Sequence, residues 1–180
     1  MSNNSISGAG RFGVAAAAGA AAWVVGYLVM YLAAADRIRE SLLAPVFQAA
    51  NIEVWQAIGW LFFNAHFVST TVELGLFGTG VVNAVGGDDG FTSLLYLLAP
   101  VLLTAAGGVV GRVTDAAEMD AANAALAGAA TVFGYGVLSV VGLLAVTTPN
   151  VAPDPVTAVV LAGVLYPVTF GVAGAVLARL

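Results

Sequence analysis

The segment "GWLFFNAHFVSTTVELG", residues 59–75, decides how the rest of the chain is arranged. It is rich in aromatic side chains, yet it contains the single histidine of the chain, His66, which is followed by several hydroxyl side chains and by Glu73. If this segment crosses a membrane, the chain has five spans and its ends lie on opposite sides. If it does not cross, the chain has four spans and its ends lie on the same side.

The overall composition is that of a membrane protein. Of the 180 residues, 61% are hydrophobic and only 8% are charged, whereas a soluble domain has roughly 25% charged residues. Several uncharged apolar runs exceed the roughly 18 residues that a helix needs to cross a bilayer. The sequence therefore predicts an all-α fold, a polytopic membrane helical bundle that forms a single membrane domain over residues 1–180.

Four apolar runs are clear candidates for transmembrane helices. They lie at about 14–35, 91–111, 122–147 and 156–178. Pro100 and Pro167 fall inside two of them and predict kinks, which transmembrane helices tolerate. Residues 36–90 are more polar and predict an outer lobe between the first two spans.

The opening segment is less apolar than these four runs. On a helix over about 53–73, the side chains of His66, Thr70 and Glu73 fall on one broad arc together with Gln56. Insertion of a central charge costs roughly 2.5–3.5 kcal/mol, while each Leu, Ile, Phe or Val returns only about 0.3–0.6 kcal/mol. We therefore predict an amphipathic helix over about 53–73 that lies in the membrane interface or re-enters partway.

The distribution of arginines leaves five spans as the alternative. Five spans would place four of the five arginines on the cytoplasmic side, whereas four spans would place only three there. Two of the residues that decide this difference, Arg37 and Arg39, are flanked by acids. The insertion cost therefore favours four spans, with both termini cytoplasmic in a multipass protein of the cell membrane.

Missing residue types exclude most cofactor chemistry. The chain has no cysteine and no lysine, so it can form neither thiolate metal sites nor Schiff bases. One histidine cannot build a multi-histidine metal site within one protomer. The net charge of −5 argues against nucleic-acid binding. We therefore predict no catalytic residues, no metal, no cofactor and no enzymatic activity.

The candidate functional face consists of His66, Thr70 and Glu73. A histidine and a carboxylate two helical turns apart could form a proton relay or half of a metal site. One histidine and one acid are a poor ligand set, however. The favoured interpretation is an interfacial histidine that is hydrogen-bonded to a carbonyl group or to water.

Small residues recur four positions apart in the predicted spans. The pairs are Gly107 with Gly111, Ala130 with Gly134, and Gly171 with Ala175. Such surfaces let helices approach closely, so that dispersion and Cα–H contacts hold them together. These residues are candidates for helix packing inside the protomer, and the alternative is association in a homo-oligomer or a membrane protein complex.

Four stretches together resemble a family of small multipass membrane proteins from haloarchaea. They are "RFGVAAAAGAAAWVVGYLVMYL", "GWLFFNAHFV", "DDGFTSLLYLLAPVLL" and "LAGVLYPVTFG". The resemblance covers most of the chain and implies a haloarchaeal cell membrane. That family has no assigned activity, so the resemblance implies no site residues.

Two functional classes follow from these observations. The first is a non-enzymatic integral membrane protein, a structural or accessory subunit that packs through its small-residue helix faces within the lipid bilayer. The alternative is a passive transporter or an oligomeric pore for a small solute. The clear spans carry no Asp, Glu, Arg or His at their centres, which disfavours ion-coupled transport and places the structural class first.

Overall fold

The computed structural model describes residues 8–73, 75–87 and 90–180, and most of these residues are helical. The helices are α1 (Gly8–Arg39), α2 (Ala44–Ala49), α3 (Val54–Asn64), α4 (Leu98–Val113), α5 (Ala121–Ala129), α6 (Val132–Val146), α7 (Pro155–Thr157) and α8 (Tyr166–Leu177). Three short strands accompany them: β1 (Thr70–Glu73), β2 (Thr79–Val82) and β3 (Val151–Pro153). A π-helical segment, Ala158–Leu165, joins α7 to α8.

Four helical stretches are long and apolar enough to cross a membrane. They are Gly8–Arg39, Ser93–Val113, Ala121–Val146 and Pro155–Leu177, and they are called the first to fourth spans below. The predicted fold class, four spans with a further short helix, is therefore confirmed. The first span is longer than predicted at both ends, because its helix continues through the charged residues Asp36, Arg37 and Arg39.

The spans alternate in direction. Gly134 packs on Ala16 and Ala20, and Gly142 packs on Trp23, so the first and third spans run the same way. The second and fourth spans are parallel as well, since Gly107 meets Gly171 and Gly111 meets Ala175 and Ala178. Residues 8 and 180 consequently lie at one end of the bundle, called the termini end. The connections 40–92 and 147–154 lie at the other, called the sheet end.

Small residues allow the spans to approach at backbone distance. A Cβ atom at Gly107 would collide with the carbonyl oxygen of Gly171, and one at Gly134 would collide with that of Ala16. Gly128 is similarly pressed against Ala175, whose Cβ would lie 2.7 Å from an added Cβ. Because such approach brings Cα–H groups and carbonyl oxygens together, these glycines determine how tightly the bundle closes.

The three strands form one antiparallel sheet at the sheet end, in the order β2-β1-β3. In this register Thr70 lies opposite Val82 on one side and Pro153 on the other. The sheet thus ties the connection between the first two spans to the connection between the last two. The sequence analysis did not predict it.

The prediction of one helix over about 53–73 is corrected by the structure. Helix α3 covers only Val54–Asn64, and Thr70–Glu73 form strand β1. Two β-branched threonines and a valine, Thr70 to Val72, favour an extended strand over a helix, and here they have sheet partners on both sides. The helical arc that joined His66 to Glu73 therefore does not exist.

Helix α3 enters the bundle rather than lying on its surface. The side chains of Ile58, Leu61, Phe62 and Phe63 are all buried. The indole N–H of Trp60 donates to the carbonyl oxygen of Val146 at 2.8 Å, and so satisfies one of the carbonyls left open at the end of α6. Of the two predicted alternatives, interfacial or re-entrant, this geometry favours the re-entrant helix, meaning here a helix that enters the bundle from the sheet end and whose chain returns to that end.

Gly107 and its neighbour Gly108 provide a matched test of the close packing. Gly107→Ala should lower the free energy of unfolding by about 1–3 kcal/mol, because the added methyl group overlaps the Gly171 backbone. Gly108→Ala is the control, since its methyl group would meet only the Gly174 carbonyl oxygen at 3.8 Å. It should be neutral or should stabilise the helix. Thermal unfolding in detergent micelles measures both, and equal stability of the two variants would contradict the packing.

Candidate functional site

A cluster of buried polar side chains lies where α3 ends inside the bundle. It consists of Asn64, His66, Thr70 and Tyr135, which we call the buried polar cluster. Their exposed fractions are 2%, 1%, 4% and 1%, respectively. Buried polar groups are costly unless they are hydrogen-bonded, so their partners indicate what the cluster does.

A tight reversal of the chain brings these residues together. Helix α3 ends at Asn64, and the N–H of Val68 returns to the carbonyl oxygen of Phe63 at 3.1 Å. Phe67 adopts a positive φ of 60°, which is uncommon for a bulky residue. Its ring is exposed and stacks on Tyr96 with centroids 4.3 Å apart. The turn directs His66 inward and sends the chain back out as β1.

His66 is hydrogen-bonded through both ring nitrogens. Nδ1 lies 2.7 Å from the carbonyl oxygen of Phe62, and Nε2 lies 2.7 Å from the hydroxyl oxygen of Tyr135. Because a carbonyl oxygen can only accept, Nδ1 carries the proton. A buried imidazolium would carry an uncompensated charge in these apolar surroundings, which is costly. The imidazole is therefore neutral at neutral pH, and the Tyr135 hydroxyl donates to Nε2.

The position of Tyr135 shows how deep the histidine lies. Tyr135 lies 11 positions before Val146, the last residue of α6. At 1.5 Å per helical residue this is about 16 Å below the sheet end of the third span. The turn after α3 therefore reaches the middle part of the bundle.

Asn64 connects three parts of the chain through its amide group. Its nitrogen donates to the Val68 carbonyl oxygen at 2.8 Å and to the Thr70 hydroxyl oxygen at 3.0 Å. Its oxygen accepts from the N–H of Ala84 at 2.9 Å. The side chain thereby holds the turn, the start of β1 and the segment after β2 in one arrangement.

The fourth span closes the cluster from the other side. Pro167 has no N–H to continue the α-helical hydrogen-bond ladder, and the turns before it are π-helical. Tyr166, which follows this π segment, places its ring centroid 4.8 Å from that of His66. The Pro167 carbonyl oxygen accepts from the Thr131 hydroxyl at 3.1 Å. The widened turn is thus packed against the third span and the cluster.

The strand register also anchors the fourth span to the turn. The N–H of Asp154 donates to the Ser69 carbonyl oxygen at 2.8 Å. The Asp154 carboxylate caps the start of the span by accepting from the N–H and the hydroxyl of Thr157, both at 2.8 Å. These hydrogen bonds lower the pKa of Asp154, so the cap is ionised at neutral pH.

The structure separates the residues of the predicted functional face. His66 and Thr70 belong to the buried polar cluster, whereas Glu73 is exposed at the end of β1. A relay or metal site that needs His66 beside Glu73 therefore has no geometric basis. Within residues 8–73, 75–87 and 90–180, no group of three or more His, Asp or Glu side chains is placed to hold a metal ion.

Two members of the cluster, Asn64 and Tyr135, were not among the predicted site residues. Asn64 stands alone between aromatic residues in "FFNAHF", and this isolated amide was the available signal. Tyr135 lies 69 positions from His66, and no local pattern indicates that contact. Since each polar atom of Asn64 and both ring nitrogens of His66 have partners within the protein, the cluster is arranged to hold the re-entrant turn in place.

The predicted helix-packing residues lie at contacts within the chain. Four of them lie where the second, third and fourth spans meet, namely Gly107, Gly111, Gly171 and Ala175. Gly134 lies where the third span meets the first. Ala130 follows α5 at the junction with α6. The small-residue pairs therefore build the protomer itself.

Comparisons with known proteins give one match. Residues 2–180 match a family of unknown function, DUF7978. No curated protein and no solved structure matches the chain.

Tyr135 allows a direct test of the cluster. Tyr135→Phe removes the hydroxyl that donates to His66 Nε2 and leaves that buried nitrogen without a partner, which should cost about 1–3 kcal/mol of unfolding free energy. The control is Tyr31→Phe, whose hydroxyl accepts from Arg39 at the exposed sheet end. It should change stability by less than about 0.5 kcal/mol. If the two variants unfold alike in detergent, the cluster does not hold the re-entrant turn.

Proposed function

This chain belongs to the DUF7978 family, whose function is unknown, and we propose from its own residues that it is a non-enzymatic integral membrane protein. Its role would be that of a structural or accessory subunit. One observation carries this proposal. Most small-residue helix faces of the described residues pack against other helices inside the bundle, whereas a small-residue face on the first span is exposed.

The surface of the spans supports a location within a lipid bilayer. Large apolar side chains are exposed on all four spans, and a soluble protein rarely exposes so many in continuous patches. Examples are Leu32, Val101, Val137, Leu144 and Val160. Hydrocarbon tails of lipids are the environment that such side chains match.

The exposed small-residue face lies on α1 and consists of Gly13, Ala17 and Ala21, which we call the α1 stripe. All three residues are exposed, and within the described part of the chain no atom outside the local helix lies within 4 Å of a Cβ built on Gly13. Residues four apart share one side of a helix, so the stripe is smooth over two turns. It has the small-xxx-small spacing with which membrane helices pair closely. Because this spacing is complementary to itself, the partner we propose is a second copy of the chain.

The arginines support an orientation with cytoplasmic termini. Arg11, Arg112 and Arg179 lie at the termini end, whereas Arg37 and Arg39 lie at the sheet end. The side with more arginines near the spans is cytoplasmic under the positive-inside rule. The sheet end, with the turn that enters the bundle, would then face the outside of the cell membrane.

Self-association can be measured by energy transfer between labelled copies in lipid vesicles. Ala17→Leu fills the α1 stripe and should weaken association about tenfold, the equivalent of roughly 1–2 kcal/mol for a small-residue helix contact. Ala33→Leu makes the same change at another exposed position of α1, 16 residues and therefore about 160° further around the helix. It should leave association unchanged. Energy transfer no greater than that of randomly distributed chains would contradict the proposed subunit contact.

The same vesicles distinguish the alternative of a passive transporter or oligomeric pore. Within the protomer, Phe62, Phe63 and His66 fill the bundle interior beside the third span. A solute path would consequently have to run between protomers. If the associated protein makes vesicles permeable to glycerol and Ala17→Leu abolishes this permeability, the oligomer is a pore and the accessory role is wrong.

A further inference from the structure

A cleft at the termini end has the features of a ligand site, and it is separate from the buried polar cluster. It lies between the start of the first span and the start of the third, and has a volume of about 400 Å³. Its lining includes Arg11, Phe12, Met119, Asn123 and Leu126. This volume falls within the usual range of small-molecule sites.

Arg11 is the chemical centre of this cleft. Its Nε atom is buried and has no hydrogen-bond partner among the residues that the structure describes. A guanidinium nitrogen that is removed from water without an acceptor is costly. Arg11 also lines the cleft, so an anion bound there can accept from its guanidinium group through charge-assisted hydrogen bonds.

Two acceptors close to the lining residues in the chain have hydrogen-bond partners other than Arg11. Both carboxylate oxygens of Asp120 accept from Asn123, one from its backbone N–H and one from its side chain, each at 2.8 Å. The carbonyl oxygen of Met119 accepts from Arg179 at 3.1 Å. Arg11 is the only charged residue among the described residues that line the cleft, so the lining itself carries one positive charge.

The rim of the cleft is apolar and faces the surroundings of the bundle. Phe12 is 48% exposed and Leu126 is 68% exposed. An occupant with an anionic head beside Arg11 and an apolar tail along these two side chains would satisfy both parts of the site. A free anion would leave the apolar rim uncovered.

We propose that the cleft binds the phosphate of an anionic membrane lipid, with Arg11 as its charged contact and with an acyl chain along Phe12 and Leu126. This site goes beyond the subunit role proposed above, because it needs neither a second copy of the chain nor the α1 stripe. It gives the termini end a defined contact with one leaflet of the bilayer.

Lipid titration in detergent micelles tests the site. Increasing phosphatidylglycerol should raise the unfolding temperature of the unmodified chain at a lower mole fraction than phosphatidylcholine does. Arg11→Gln should raise the half-saturating mole fraction of phosphatidylglycerol about tenfold, the effect of one charge-assisted contact. The matched control is Arg112→Gln, an exposed arginine at the same end of the bundle, and it should respond like the unmodified chain.

Three results would overturn the proposal. One is an equal response of Arg11→Gln and Arg112→Gln, which would assign the effect to general charge. Another is the full stabilisation by inorganic phosphate alone, which would make the ligand a free anion. The third is no preference for phosphatidylglycerol over phosphatidylcholine. Should Arg11→Gln fail to fold, Arg11→Lys keeps the charge but loses the planar fork, and it should weaken binding about threefold.

Discussion

The hydrogen bond between the Tyr135 hydroxyl and His66 Nε2 is the interaction on which the interior of this bundle depends. A histidine in an apolar interior is tolerated only if both ring nitrogens have partners, and here one partner is local, the Phe62 carbonyl, while the other comes from the third span. The bond can form only when α3 has entered the bundle to its full depth. It therefore couples the insertion of the re-entrant helix to the position of the third span.

Close packing of the spans acts together with the hydrogen bond between His66 and Tyr135. Where Gly107 meets Gly171 and Gly134 meets Ala16, backbones touch with no side chain between them. Toward the sheet end the aromatic side chains of α3, such as Phe62 beside Gly26, lie between the spans. The chain thus combines direct backbone contacts at glycines with packing around an inserted helix. Strand β1, paired with β3, fixes the loop that joins the last two spans to the same inserted segment.

The number and approximate bounds of the spans were predictable, because uncharged runs of more than about 18 residues have few other stable environments. The re-entrant helix was predictable in part, since the mixed polarity of residues 53–73 argued against a full crossing. The end of this helix at Asn64 was not predictable in the same way. The arc that joins His66, Thr70 and Glu73 assumes one continuous helix, whereas Thr70 and Thr71 pair as part of a strand. Strand β3 lies in "TPNVAPDP", where prolines indicate a rigid connection but not a strand. The contact with Tyr135 depends on tertiary packing alone and leaves no local pattern.

The most direct test of this account is the side of the membrane on which residues 40–92 begin and end. The chain has no cysteine, so single cysteines at Leu42, Ser93 and Ala117, all exposed, can be probed with a membrane-impermeant thiol reagent on sealed vesicles of known orientation. A re-entrant α3 predicts that Leu42 and Ser93 are labelled from the same side and Ala117 from the opposite side. Labelling of Leu42 and Ser93 from opposite sides would mean that residues 43–92 cross the membrane, and it would contradict the four-span arrangement.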